Sequence, residues 1–85
     1  MITIHTPTGG VLAAWIRRPG DQIAEGDLLA IVECEDGRYT FVESPRDGIL
    51  DTLLAQGSVQ VTPETPLAQL HVRTRELALA RALVS

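Results

Sequence analysis

The chain has 85 residues, a net charge of −4 and no lysine; its seven basic residues are all arginine. A chain this short forms one small domain that buries roughly 60–65% of its unfolded surface, too little for a buried multi-residue active site under a lid. Negative net charge offers no bulk attraction for nucleic acid, and no apolar run approaches the ~18–20 residues of a membrane span. The start, MITIHTPTGG, lacks a basic region followed by an apolar stretch, so no signal peptide is expected and cytoplasmic residence is the default. Neither a nucleic-acid nor a membrane partner is expected.

Apolar residues make up 45% of the chain, yet the only aromatics are Trp15, Tyr39 and Phe41. The core must therefore be aliphatic. A single cysteine, Cys34, rules out an internal disulfide. With His5 and His71 the only histidines, no structural zinc set is expected.

In chain order, short apolar segments run over Ile2 to Ile4, Gly10 to Ile16, Leu28 to Glu33, Arg38 to Glu43, Gly48 to Leu53 and Leu67 to Val72. Turn residues separate them: Pro7 to Gly10, Pro19 to Asp21, Glu25 to Asp27, Asp36-Gly37, Pro45 to Gly48 and Thr62 to Pro66. Punctuation this dense predicts an all-β sandwich or barrel. Asp36-Gly37 reads as a type I′ hairpin turn, which needs positive φ at both central residues. Gly9-Gly10 is no phosphate loop, because no Lys-Ser/Thr pair or helix follows it. The last stretch, Thr74 to Ser85, differs in kind: it has no Gly or Pro, and Leu77, Ala80 and Val84 fall at helical spacing. Residues 1–73 are expected as one domain and residues 74–85 as a tail, a short helix or a linker.

The chain also repeats itself. TPTGGVLAAWI from Thr6 lies over SPRDGILDTLL from Ser44, an ungapped offset of 38 residues. Pro7 falls on Pro45, Gly10 on Gly48, Leu12 on Leu50, Ile23 on Val61, Leu29 on Leu67 and Ala30 on Ala68. Turn and apolar residues that keep one register this long point to two similar supersecondary units, each covering the apolar face of the other.

Gly10-x4-Trp15, Gly20-Asp21-x4-Gly26-Asp27-x-Leu29, Val32-Glu33 and Ser44-Pro45-x-Asp47-Gly48 together resemble the biotinyl/lipoyl carrier domain family, over about Ile2 to Val72. The resemblance implies a flattened barrel-sandwich hybrid: two four-stranded sheets related by a quasi-two-fold axis. It also implies a tight hairpin whose tip carries the lysine that receives lipoate or biotin. Counting forward from Val32-Glu33 puts that slot on Asp36; counting back from Ser44-Pro45 puts it on Gly37. The hairpin is one residue longer than the family pattern. Neither residue forms an amide with a carboxylic cofactor, and Arg38 is a protonated guanidinium. No lipoyl or biotinyl cofactor is therefore expected.

What remains is a degenerate attachment turn with candidate partner-binding residues around it: Glu35, Asp36, Arg38, Tyr39 and Phe41. In family register Tyr39 and Phe41 face outward and suit a protein-binding patch; a register shift from the longer hairpin would instead bury one of them. Trp15 falls on a family core position. The acidic set Glu33, Glu35, Asp36, Glu43, Asp47 and Asp51 is expected around the hairpin, as a solvated face or a guide for a basic partner. The expected function is a non-enzymatic interaction or assembly module whose partner is another protein or domain of a multienzyme complex. The alternative is an N-terminal tether of a larger acyltransferase, hydrolase or carboxylase-type protein. A third reading makes Cys34 a thioester or redox carrier, although the flanking carboxylates disfavour a thiolate.

Overall fold

The computed structural model describes residues 1–72. The expected tail, residues 74–85, lies outside them. Eight strands follow one another: β1 (Ile2–Ile4), β2 (Gly10–Trp15), β3 (Gln22–Ile23), β4 (Leu28–Glu33), β5 (Tyr39–Glu43), β6 (Gly48–Leu53), β7 (Gln60–Val61) and β8 (Ala68–Val72). They form two antiparallel four-stranded sheets, β1-β8-β6-β3 and β5-β4-β2-β7. No helix is present among the described residues. The two-residue strands β3 and β7 complete the two four-stranded sheets that the resemblance implies but are not among the six segments read from the residues; Pro19-Gly20 and Thr62-Pro63 crowd them so closely that they read as turn.

The 38-residue repeat is visible in the backbone. β2 and β6 are equivalent over their full lengths, as are β3 and β7. Each half has one bulge in its central pairing, between Leu12 and Ala14 against β4 and between Leu50 and Thr52 against β8. The Leu12 N–H donates to the Val59 carbonyl at 2.8 Å, and the twin Leu50 N–H to the Asp21 carbonyl at 3.1 Å. Each sheet takes two strands from each half, so the halves interlock.

Two pairs of sequence twins hold this geometry. A Cβ on Gly10 would overlap the Glu33 carbonyl, and one on Gly48 the His71 carbonyl. Glycine thus lets β2 approach β4, and β6 approach β8, more closely than a side chain permits. Thr6 and Ser44 are the two buried polar residues among those described. Each hydroxyl donates to the carbonyl two residues on, Thr8 and Arg46, at 2.7 Å. Such a bond satisfies a hydroxyl that burial would otherwise strand.

The core is aliphatic: Ile4, Leu12, Leu29, Val32, Val42, Leu50, Val61, Leu67 and Leu70 are fully buried. Trp15 packs against its edge. Its Nε1 donates to the Ala55 carbonyl at 2.8 Å, joining β2 to the segment that leaves β6 and hence one sheet to the other. This agrees with the structural role expected of Trp15.

Candidate functional site: the β4–β5 hairpin

β4 leaves the core at Val32 and ends at Glu33; β5 begins at Tyr39, paired with Glu33. Between them the Cys34 N–H donates to the Arg38 carbonyl at 2.7 Å, and the Gly37 N–H to the Cys34 carbonyl at 3.0 Å. The loop is therefore three residues, Glu35, Asp36 and Gly37. Gly37 has φ 81°, and no other residue type in the described chain has positive φ. This corrects the expected type I′ turn. Asp36 keeps negative φ, and the left-handed position falls on Gly37 alone, as in three-residue hairpins with a glycine bulge. The extra residue of the hairpin is absorbed by this longer loop.

The Asp36 carboxylate helps close the turn. Its Oδ1 accepts the Arg38 N–H at 3.0 Å, and its Oδ2 lies 3.5 Å from the Arg38 Nε. Both side chains are largely in solvent, so this ion pair adds little stability. The loop lies beside an open groove of about 650 Å³ lined by residues 8–10, 34–36, 38–40 and 60–62.

Cys34 is half-buried. Its Sγ lies 3.4 Å from the Thr8 Oγ1 and 3.3 Å from the Thr40 Oγ1. Among the described residues no three His, Cys, Asp or Glu side chains gather where a metal could be held.

The register of β5 settles the alternatives for its aromatics. Val42 is fully buried, whereas Tyr39 is 60% and Phe41 47% exposed. Both rings point away from the core, so the longer hairpin does not shift the strand. β5 is also the edge of its sheet. Glu35, Asp36 and Arg38 are exposed at the tip. The structure thus brings together Glu35, Asp36, Arg38 and Tyr39 along the groove, with Phe41 two residues further along the strand.

The acidic set divides. Glu33, Glu35 and Asp36 stand at the hairpin. Glu43 is at the far end of β5, opposite Leu28. Asp47 and Asp51 belong to the other sheet: Asp47 accepts the Glu25 N–H at 2.7 Å just before β6, and Asp51 is on β6. This corrects the expectation of one acidic set around the hairpin, because the chain crosses to the second sheet between Glu43 and Gly48.

A family model described as "Biotin-requiring enzyme" matches residues 2–70. The chain belongs to the biotinyl/lipoyl domain family. Two curated relatives are dihydrolipoyllysine-residue acetyltransferase components of the mitochondrial pyruvate dehydrogenase complex. The Saccharomyces cerevisiae protein is 34% identical over 64 residues, which is 74% of this chain and 13% of that protein. The Caenorhabditis elegans protein is 35% identical over 54 residues, 64% of this chain and 10% of that one. The biotinyl/lipoyl domain therefore spans only a small part of the length of these relatives. Among solved structures, the lipoyl domain of the Azotobacter vinelandii 2-oxoglutarate dehydrogenase complex superposes with a TM-score of 0.68 at 21% identity, covering 84% of this chain and 96% of that one. A truncated AcrA from Campylobacter jejuni superposes at 0.81 with 16% identity, covering 94% of each. Kluyveromyces lactis urea carboxylase superposes at 0.76 with 17% identity, covering 82% of this chain and 6% of that enzyme. At these identities the structures share the fold. The biotinyl/lipoyl domain is a carrier-type domain by family, and it has no lysine among its 85 residues.

Proposed function

We propose that this biotinyl/lipoyl domain works unloaded, as a non-enzymatic interaction or assembly module in a multienzyme system. The observation that carries the reading is the hairpin tip. Both counts for the attachment slot fall within the three-residue loop, on Asp36 and Gly37. The Asp36 carboxylate is engaged with Arg38 in closing that loop, and Gly37 supplies its left-handed residue. With no lysine in the chain, there is no side-chain amine to acylate. The hairpin is kept as the join between two interlocked halves, and among the described residues its groove is open and its edge strand has one unpaired side.

The test is intact-mass measurement of the chain purified from its own host, then again after incubation with lipoate–protein and biotin–protein ligases, their cofactors and ATP. The expected result is the unmodified mass throughout. A mass gain matching lipoate or biotin overturns the proposal.

A second reading is favoured by the small share of each curated relative that the chain covers. Here the domain tethers a larger acyltransferase- or carboxylase-type protein and docks against another part of it. Cys34 as a thioester or redox carrier comes last, because its thiol is half-buried beside two threonine hydroxyls. Slow thiol alkylation in the folded chain, together with unmodified mass, removes that reading.

A further inference from the structure

The two sheets match in strand order and in the pairing of their central strands, so their outer rows can be compared position by position; the β4–β5 pairing also carries a bulge between Leu28 and Ala30 that the β1–β8 pairing lacks. On the sheet containing β5, one cross-strand row runs Phe41–Ile31–Ala14. Its twin, 38 residues away on the other sheet, runs Thr3–Gln69–Thr52. The next row runs Tyr39–Glu33–Val11–Gln60, and its twin contains His71, Ile49 and Gln22. At the foot of the face Leu28 pairs with Glu43. Phe41, Tyr39, Val11 and Leu28 are all substantially exposed.

The fold does not require apolar side chains in the first row, since the same backbone carries Thr, Gln and Thr in its place. Exposed Ile16 and Leu54, by contrast, are twins and mark neither face. Folding therefore does not account for the apolar row on the β5 side, and exposing such a row to water has no folding benefit. Its charge narrows what would cover it. Glu33 and Glu43 stand within the face and have no ion-pair partner among the described residues. The nearby Arg38 is held by Asp36. Two copies placed face to face would oppose these carboxylates, which disfavours a second copy of this chain.

We infer that the outer face of the β5-β4-β2-β7 sheet is a docking surface for a protein segment that carries two or more apolar side chains flanked by Arg or Lys. Phe41, Ile31 and Tyr39 receive the apolar side chains, and Glu33 and Glu43 receive the basic ones. The inference rests on reading the domain as an interaction module and assigns that module a face.

A benzoylphenylalanine photo-crosslinker is placed in turn at Phe41, at its twin Thr3, and at Asp36 on the hairpin tip, in the 85-residue chain expressed in its own host. The expected result is a product from Phe41 and none from Thr3, mapping to a segment with Arg or Lys beside apolar residues. A synthetic peptide of that segment should bind the unsubstituted chain and lose at least ten-fold in affinity to the combined Phe41→Thr, Ile31→Gln and Ala14→Thr variant. Its affinity should also fall as salt is raised, since the charged pairs are near the surface. The triple variant copies a row that the twin sheet already folds with, and Phe41→Thr alone serves if thermal unfolding shows the triple variant is not folded. Equal products from Phe41 and Thr3, an acidic captured segment, crosslinking to a second copy, or an affinity unchanged by the substitutions overturns the inference. A product from Asp36 alone overturns this face while leaving the interaction-module reading in place. No product from any of the three positions sinks both.

Discussion

The β1-β8-β6-β3 and β5-β4-β2-β7 sheets share strand order, a bulge in the central pairing and a close-approach glycine, yet they differ on their outer faces. Thr3–Gln69–Thr52 is wet and polar; Phe41–Ile31–Ala14 is apolar, with an edge strand and a hairpin beside it. What the twins share is what the fold needs. In this outer row, where they differ, the fold is indifferent and something else sets the residue.

The largest effect should come from breaking a shared feature. Gly10→Ala and Gly48→Ala each drive a Cβ into a facing carbonyl and should each cost about 3 kcal/mol in urea unfolding. Near-equal losses would sharpen the equivalence of the halves; one tolerated substitution would break it. Next come the buried hydroxyls. Thr6→Val and Ser44→Ala each remove the donor to a carbonyl two residues on and should each cost ~1–2 kcal/mol, again as a matched pair.

Trp15 tests a contact that only one half makes. Trp15→Phe removes the bond to the Ala55 carbonyl and should lower stability by ~1 kcal/mol. Its twin is Leu53, which has no such donor, so Leu53→Trp should not gain the converse amount. The smallest stability change is expected from exchanging the outer rows. Phe41→Thr, Ile31→Gln and Ala14→Thr together should shift stability by less than ~1 kcal/mol, because Phe41 and Ala14 are exposed, Ile31 is half-buried and the twin row already folds with these residues. A large loss in thermal unfolding would show that the apolar row supports the fold after all.

Much of this was legible in the sequence because it repeats. The ungapped offset of 38 residues pairs Gly10 with Gly48 and Leu12 with Leu50, and short apolar segments bounded by turn residues mark β2, β4, β6 and β8 nearly to the residue. β3 and β7 were not legible, since a two-residue strand carries too little periodicity to stand out between turns. The turn type is not legible because Asp-Gly suits both a two-residue and a three-residue loop, and only pairing across Cys34 and Arg38 decides between them. The outward direction of Tyr39 and Phe41 depended on a register that one strand alone does not specify. Asp47 and Asp51, expected around the hairpin, lie with the other sheet because the chain changes sheet between Glu43 and Gly48. Thr6 and Ser44 do carry a sequence signal: a hydroxyl residue before proline at the same offset in both halves.

Because each sheet draws two strands from each half, the covalent link through the hairpin is not what keeps the halves together. A single backbone nick between Asp36 and Gly37 would leave β1 to β4 on one fragment and β5 to β8 on the other, each strand still paired with its neighbour. Neither fragment closes a core by itself, so the two should fold only upon meeting. The same architecture that makes the hairpin a sound join also makes it a natural place to split the protein into complementing parts.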